Sequence, residues 1–445
     1  MASTSLTYTQ ETPTTAEARK FTFSAWVKKC KNAAHQGLYG NTYDSTHRGY
    51  IYFDNNDKLG FWDSTGTNIL TNRQFRDNSA WYHIVFACDT TQATASDRVK
   101  VYVNGVLQSL QQADYPTQDY ANLKIQGTTN TPYMGKYVEG AVTNFFDGCL
   151  SHVHWTQGYT YQASDFGETD SNGVWKIKTS VSITYGTNGF FILKDGNSLT
   201  DQSSNSNNWT LAAGTLTDMV DNPSNNFATF NPLNQTTSNN FVLSKGNTTT
   251  LTSGDASAMY FGGSSTIGAS SGKFYCEMKT DTATSSVHSG FGISYNTAED
   301  ARLNEHMGQQ AWSYGIDPNG NKHNNGSSSS YGNAWTEANV IGMAFDLDNH
   351  KIYWSIDGVW QNSGDPTSGS TGTGSAFDLT TGETYFVTTS DFNSSTKATI
   401  NLNFGNGYFG TTAISSEGTN ASGIGKFEYN VPTGYTALCT KGLNE

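Results

Sequence analysis

The stretch from Phe345 to Gly358, Phe-Asp-Leu-Asp-Asn-His-Lys-Ile-Tyr-Trp-Ser-Ile-Asp-Gly, sets two alternating apolar segments around a polar turn and closes on Asp-Gly. A period of two sends successive side chains to opposite faces, and the polar residues supply turn chemistry, so the stretch predicts a β-hairpin. Gly49–Phe53 and Lys58–Trp62 flank Asp54-Asn55-Asn56-Asp57 in the same way and predict a second hairpin. No segment sustains a 3.6-residue period. The short stretches Thr15–Lys20 and Leu303–Gln310 are the best helical candidates.

With 45 glycines, 8 prolines and long Ser/Thr/Asn/Gly stretches between apolar runs, the 445-residue chain reads as all-β. Its length suits two large β-sandwiches with a connector. Lys and Arg number 25 against 38 Asp and Glu, for a net charge of −13, and the cations are scattered. That argues against nucleic-acid binding. Neither a run of about 18 apolar residues nor a signal-peptide pattern occurs, so we expect no membrane insertion and folding in a cytoplasm. The five cysteines, at 30, 88, 149, 276 and 439, form no C-x-x-C pair, and we expect most of them to be buried free thiols.

The first hairpin and its surroundings resemble a SPRY (B30.2) domain. Gly272–Met278, Gly290–Ser294, Trp312–Asp317, Val340–Ala344 and Ile400–Gly405 stand in that family's order, with Asn339 where an Asp is usual. The resemblance implies a binding module. Upstream, Phe21–Lys28, Trp81–Asp89, Val99–Gly105 and Phe146–Val153 resemble the landmarks of a laminin-G-like (concanavalin-type) jelly roll.

Between the two lie Tyr185–Leu193, Asp201–Thr210 and Asp218–Leu233, polar but carrying regularly placed Phe, Trp and Leu. That placement predicts a packed connector, not a free linker. It resembles a segment of marine bacteriophage virion proteins that lies between the same two domain types. We therefore expect two tandem jelly-roll-like antiparallel β-sandwiches joined by a packed, mostly irregular connector. The expected divisions are an arm (1–19), a laminin-G-like domain (20–168), the connector (169–245), a SPRY-like domain (246–430) and a tail (431–445).

Catalysis has little support. Glu168 and Asp170 have the even spacing of a carboxylate pair but sit in a polar stretch without the further Glu of a glycosidase pattern. Asp346 and Asp348 are explained by their hairpin. His152 and His154, near Cys149, lack a third zinc ligand. Laminin-G-like domains often bind Ca²⁺, which makes Asp54 and Asp57 calcium candidates, although a hairpin turn requires the same residues. No other cofactor is expected.

Glycan binding needs an exposed aromatic ring with amides around it. Trp312, Tyr314, Asn319, Asn321, His323, Asn324, Tyr331 and Trp335 offer that chemistry where SPRY domains carry variable loops. One strand face must be buried, so Trp312 and Tyr314 are assigned to the core. Tyr331 and Trp335, beside Gly/Ser-rich sequence, are the exposed candidates, with Asn321, His323 and Asn324 as polar partners.

The resemblance to phage proteins implies a non-enzymatic virion structural protein, a capsid decoration or tail appendage, made in the host cytoplasm and released by lysis. Its implied partners are other virion proteins and a host-surface glycan or protein, with the chain oligomeric on the particle. A dedicated receptor-binding adhesin and a glycan depolymerase are the alternatives.

Overall fold

The computed structural model describes residues 4–42, 44, 46–127, 131–235, 241–252, 261–281, 289–303, 305–391 and 398–444. The first three residues of the arm and Asn304 of the second helical candidate lie outside them. The chain forms two compact units, Met1–Asp218 and Met219–Glu445, each built on antiparallel sheets.

In the first unit an eight-stranded sheet runs Leu110–Asp114, Thr67–Gln74, Lys58–Asp63, Arg48–Phe53, Gln36–Thr42, Thr131–Met134, Ser5–Thr7 and Thr210–Ala213. A six-stranded sheet is centred on Gly148–Gln157, Lys20–Lys29 and Trp81–Asp89. Alternation fills the space between: Phe21, Phe23, Ala25 and Val27 meet Ile51, Phe53, Leu59 and Phe61 in one core. The strand Trp81–Asp89 is buried at every position because both its faces are covered. Ile84, Phe86 and Cys88 face the core, while Val85 lies under Ala163 and Phe166.

In the second unit the predicted hairpin pairs Ile341–Asp346 with Lys351–Ile356, Phe345 opposite Ile352. It lies in a nine-stranded sheet whose inner face, with Phe274, Cys276 and Met278, packs on a seven-stranded sheet through Phe291, Ile293 and Val387. The outer face carries Tyr275 and Tyr353 under Phe427, Tyr435 and Cys439.

The arm, connector and tail expected from sequence are not separate pieces. Ser5–Thr7 is an internal strand bonded to Thr131–Met134 on one side and Thr210–Ala213 on the other. The connector divides at Asp218: Phe190, Ile192 and Trp209 complete the first core, whereas Ala228 and Phe230 enter the second. Thr436–Ala437 pairs in parallel with the strand Lys273–Thr280, and Leu438 is fully buried. In each case the apolar residues decide, because burying them outweighs the polar composition around them.

The helical candidates move. Glu17–Arg19 is a single 3-10 turn before the strand at Lys20, and the α-helices are the one-turn Ala163–Phe166 and the longer Thr297–Leu303. Glu299 and Asp300 in the first turn of the longer helix and Arg302 in its last complement the helix dipole. Gly308 downstream has φ of +83°, a left-handed turn that a helix over 303–310 excludes.

Candidate aromatic binding face

The hairpin Arg48–Phe53/Lys58–Asp63 carries aromatic residues on both faces. Ile51, Phe53 and Phe61 point into the core, so Tyr50, Tyr52 and Trp62 project from the other side of the sheet. Tyr50 and Trp62 are directly paired and stack at 5.2 Å and 20°.

A second hairpin, Lys136–Glu139/Val142–Phe145, folds over this face and brings Tyr137 onto Tyr50, with ring centroids 4.0 Å apart and planes at 12°. Glycines make the approach possible. A Cβ at Gly37 would lie 2.2 Å from the Tyr137 backbone nitrogen, and one at Gly60 would lie 2.6 Å from the Tyr52 ring. Tyr52 stands edge-on to Tyr50 at 5.2 Å, and exposed His35 stacks beside it at 6.3 Å.

Tyr50 and Tyr137 are buried, while Tyr52 and Trp62 are half-buried and present ring surface to solvent. Arg48 lies 4.9 Å over the Trp62 ring and holds Glu139 at 3.2 Å. Burial, followed by the nearby Glu139 carboxylate, drives the Tyr50 and Tyr137 phenols well above their usual range. Burial and Asp54 push Tyr52 up to about 12. All three hydroxyls therefore stay protonated at neutral pH and serve as hydrogen-bond donors and acceptors. Flat rings beside an Arg–Glu pair can stack on the apolar side of a sugar and bind its hydroxyls.

The loop residues singled out from sequence are arranged differently. Tyr331 and Trp335 are core residues, 5% and 4% exposed. Tyr331 packs edge-on against Trp354 and donates to the Gly374 carbonyl at 3.1 Å; Trp335 donates to the Asp317 carbonyl at 3.0 Å. Backbone bonds from Tyr331 to Gly320 and from Trp335 to Pro318 fold this loop back, so neither ring is available to a ligand. Asn321, His323 and Asn324 share one half-buried strand. There His323 Nε2 lies 2.9 Å from Asp317, and the Asn324 amide donates to Ala311 and Ser313 carbonyls. Tyr314 is buried as expected; Trp312 is only half-buried, its indole N–H bound to Asp300 at 2.8 Å.

Asp54 and Asp57 spend their oxygens inside the fold. Asp54 accepts from the Asn56 and Lys58 backbone, and Asp57 accepts from Lys29 Nζ at 2.6 Å and the Ala33 backbone at 2.9 Å. Among the described residues, no group of three or more His, Cys, Asp or Glu is placed to hold a metal ion. His154 bonds Tyr185 at 2.9 Å and His152 bonds Ser151 at 2.8 Å, so the two histidines have separate partners. Glu168 pairs with Lys176 across a short hairpin, Gly167–Thr169/Trp175–Ile177, where a loop was expected. Asp346 caps its own turn and pairs with Lys273 at 2.9 Å.

Residues 3–162 match the family model of the concanavalin A-like lectin/glucanases superfamily, and residues 273–374 match that of the SPRY domain. The chain carries both domains. The aromatic face belongs to the concanavalin A-like domain, and the hairpin Ile341–Asp346/Lys351–Ile356 to the SPRY domain. The crystal structure of the SPRY domain of human HERC1 is similar at 13% identity and a TM-score of 0.30, over 39% of this chain and 96% of that one. No curated protein matches the chain.

The sequence-based reading passed over Tyr50, Tyr52, Trp62 and Tyr137. The signal was present in the hairpin Arg48–Phe53/Lys58–Asp63, since aromatics on both faces of a strand pair need a second partner besides the core.

Proposed function

We propose that this is a non-enzymatic binding protein of a bacteriophage particle, a capsid decoration or tail appendage, that recognises host-surface glycan through the aromatic face of its concanavalin A-like domain. The observation that carries the glycan reading is the half-buried pair of Trp62 and Tyr52 set on the buried Tyr50–Tyr137 stack. The virion reading is supported by the order of the sequence motifs, with the phage-like segment lying between the two domains. Other virion proteins are the proposed partners, and the virion the proposed location. The non-enzymatic reading is supported by Glu139, the carboxylate beside the stack, being paired with Arg48.

The test is calorimetric titration of the full chain with host-envelope polysaccharide, alongside Trp62→Ala and Tyr52→Ala. Binding by the unaltered chain that weakens about tenfold or more in Trp62→Ala is expected for a central aromatic anchor. Equal affinity in all three proteins would move the ligand elsewhere. Incorporation of the chain into purified particles tests the virion reading separately.

A further inference from the structure

The strand Gly148–Gln157 runs antiparallel to Lys20–Lys29 with Gly148 opposite Lys29 and Cys149 opposite Lys28. The ladder continues one step further, where the Cys30 backbone donates to the Asp147 carbonyl at 2.9 Å. Cys30 and Cys149 are therefore diagonal neighbours on the same face of the sheet. In a flat ladder such neighbours lie roughly 7–8 Å apart at Cα, slightly beyond the usual disulfide span. Here the two backbones come close at Gly148, beside Cys149, where a Cβ would lie 2.2 Å from the Lys28 carbonyl oxygen. The Cys149 side chain is also the neighbour that acts most strongly on the Cys30 thiol.

Both cysteines are free thiols, Cys30 only 3% exposed and Cys149 half-buried. Cys149 is thus the sulfur a reagent meets first, with Cys30 waiting behind it. Contact with Cys149, then burial, holds the Cys30 thiol well above the usual range, which keeps it protonated until its partner has reacted.

We propose that Cys30 and Cys149 are a latent disulfide, closed by exchange with a small-molecule disulfide. The Cys149 thiolate attacks one sulfur of the reagent, that S–S bond breaks, and one thiolate leaves. Cys30 then gives up its proton and attacks Cys149 Sγ, expelling the second thiolate. The two protein thiols lose two electrons and two protons, and the reagent is reduced to two thiols. The closed bond clamps the adjacent strands Lys20–Lys29 and Gly148–Gln157 of the six-stranded sheet. Cys88, Cys276 and Cys439 are buried and have no such neighbour across a strand.

The full chain is incubated with oxidised glutathione, denatured, alkylated and mapped by mass spectrometry. Alkylatable thiols should fall from five to three, with a Cys30–Cys149 peptide recovered. The melting temperature of the first unit should rise by on the order of 5 °C. In Cys30→Ser, Cys149 should retain glutathione as a mixed disulfide, and Cys149→Ser, at a half-exposed position, should keep all four remaining thiols. Five thiols remaining after treatment, a link through any other cysteine, or stable glutathione on Cys149 of the unaltered chain would overturn the proposal.

Discussion

Trp175 donates its indole N–H to Nδ1 of His83 at 3.1 Å. Since indole is a donor only, Nδ1 is an acceptor, and the ring proton must sit on Nε2, which lies 2.9 Å from Ser24 Oγ. His83 thus donates to Ser24 and cannot take its proton, so this buried Ser–His pair is structural. Trp175 is seated between Gly105 and Gly167, where any Cβ would meet its ring at 2.6 or 2.5 Å.

A second histidine, His154, lies buried on the same sheet, stacked on Phe191 at 3.9 Å. Burial, then the charge of His152, lowers the His83 pKa to about 3, and burial carries His154 well below its usual value too. Unfolded, both titrate near 6.5, so the unfolded chain binds more protons below that pH. Their stabilisation is complete above pH 6.5 and is lost as pH falls from there toward 3, by on the order of a few kcal/mol. Asp63, raised to about 6 by burial, opposes this in part. Denaturant unfolding of the first unit between pH 7 and 5 is expected to show the loss, and His154→Gln to reduce its slope.

Glu277 gives the second unit the opposite response. It is fully buried, and burial raises its pKa to about 7 against the donors around it. The folded chain therefore binds the extra proton between pH 7 and the unfolded value near 4.5, and stability rises as pH falls through that window. Calorimetry at pH 7 and pH 5 is expected to move the two units' transitions in opposite directions.

The same carboxylate accepts from the Glu428 and Tyr429 backbone, Asn403 and Tyr275, at 2.8–3.2 Å. Glu277→Gln turns an amide donor toward a backbone N–H. We expect a loss of about 1–3 kcal/mol in urea unfolding at neutral pH. An unchanged midpoint would mean that the site rearranges to accept a donor.

Lys29 is fully buried, with Nζ bound to Asp57 and to the Phe75 carbonyl at 3.1 Å. Lys29→Met strands most of the Asp57 charge, leaving Arg76 at 3.4 Å as its remaining cation. A destabilisation of about 3 kcal/mol is expected in denaturant titration.

Because those oxygens are taken, millimolar Ca²⁺ or a chelator is expected to leave the first unit's melting temperature in place. A calcium-dependent rise would restore Asp54 and Asp57 as ligands.

The hairpin Phe345–Gly358 and the strand Phe21–Lys28 could be read from sequence because period-two alternation is local. The burial of Tyr331 and Trp335 could not, since it follows from backbone bonds to Gly320 and Pro318, which bend the loop inward. Cys30 and Cys149 meet only through strand pairing across much of the first unit. The aromatic face was half legible: Tyr50, Tyr52 and Trp62 were in view, but Tyr137 arrives from a hairpin whose alternation alone does not say where it folds.

The strand Ser5–Thr7 has consequences for synthesis. One of its neighbours is Thr210–Ala213, translated some two hundred residues later. The eight-stranded sheet therefore stays open at that edge throughout translation of the first unit, and a chain stalled before residue 213 leaves an unpaired strand for other nascent chains to join.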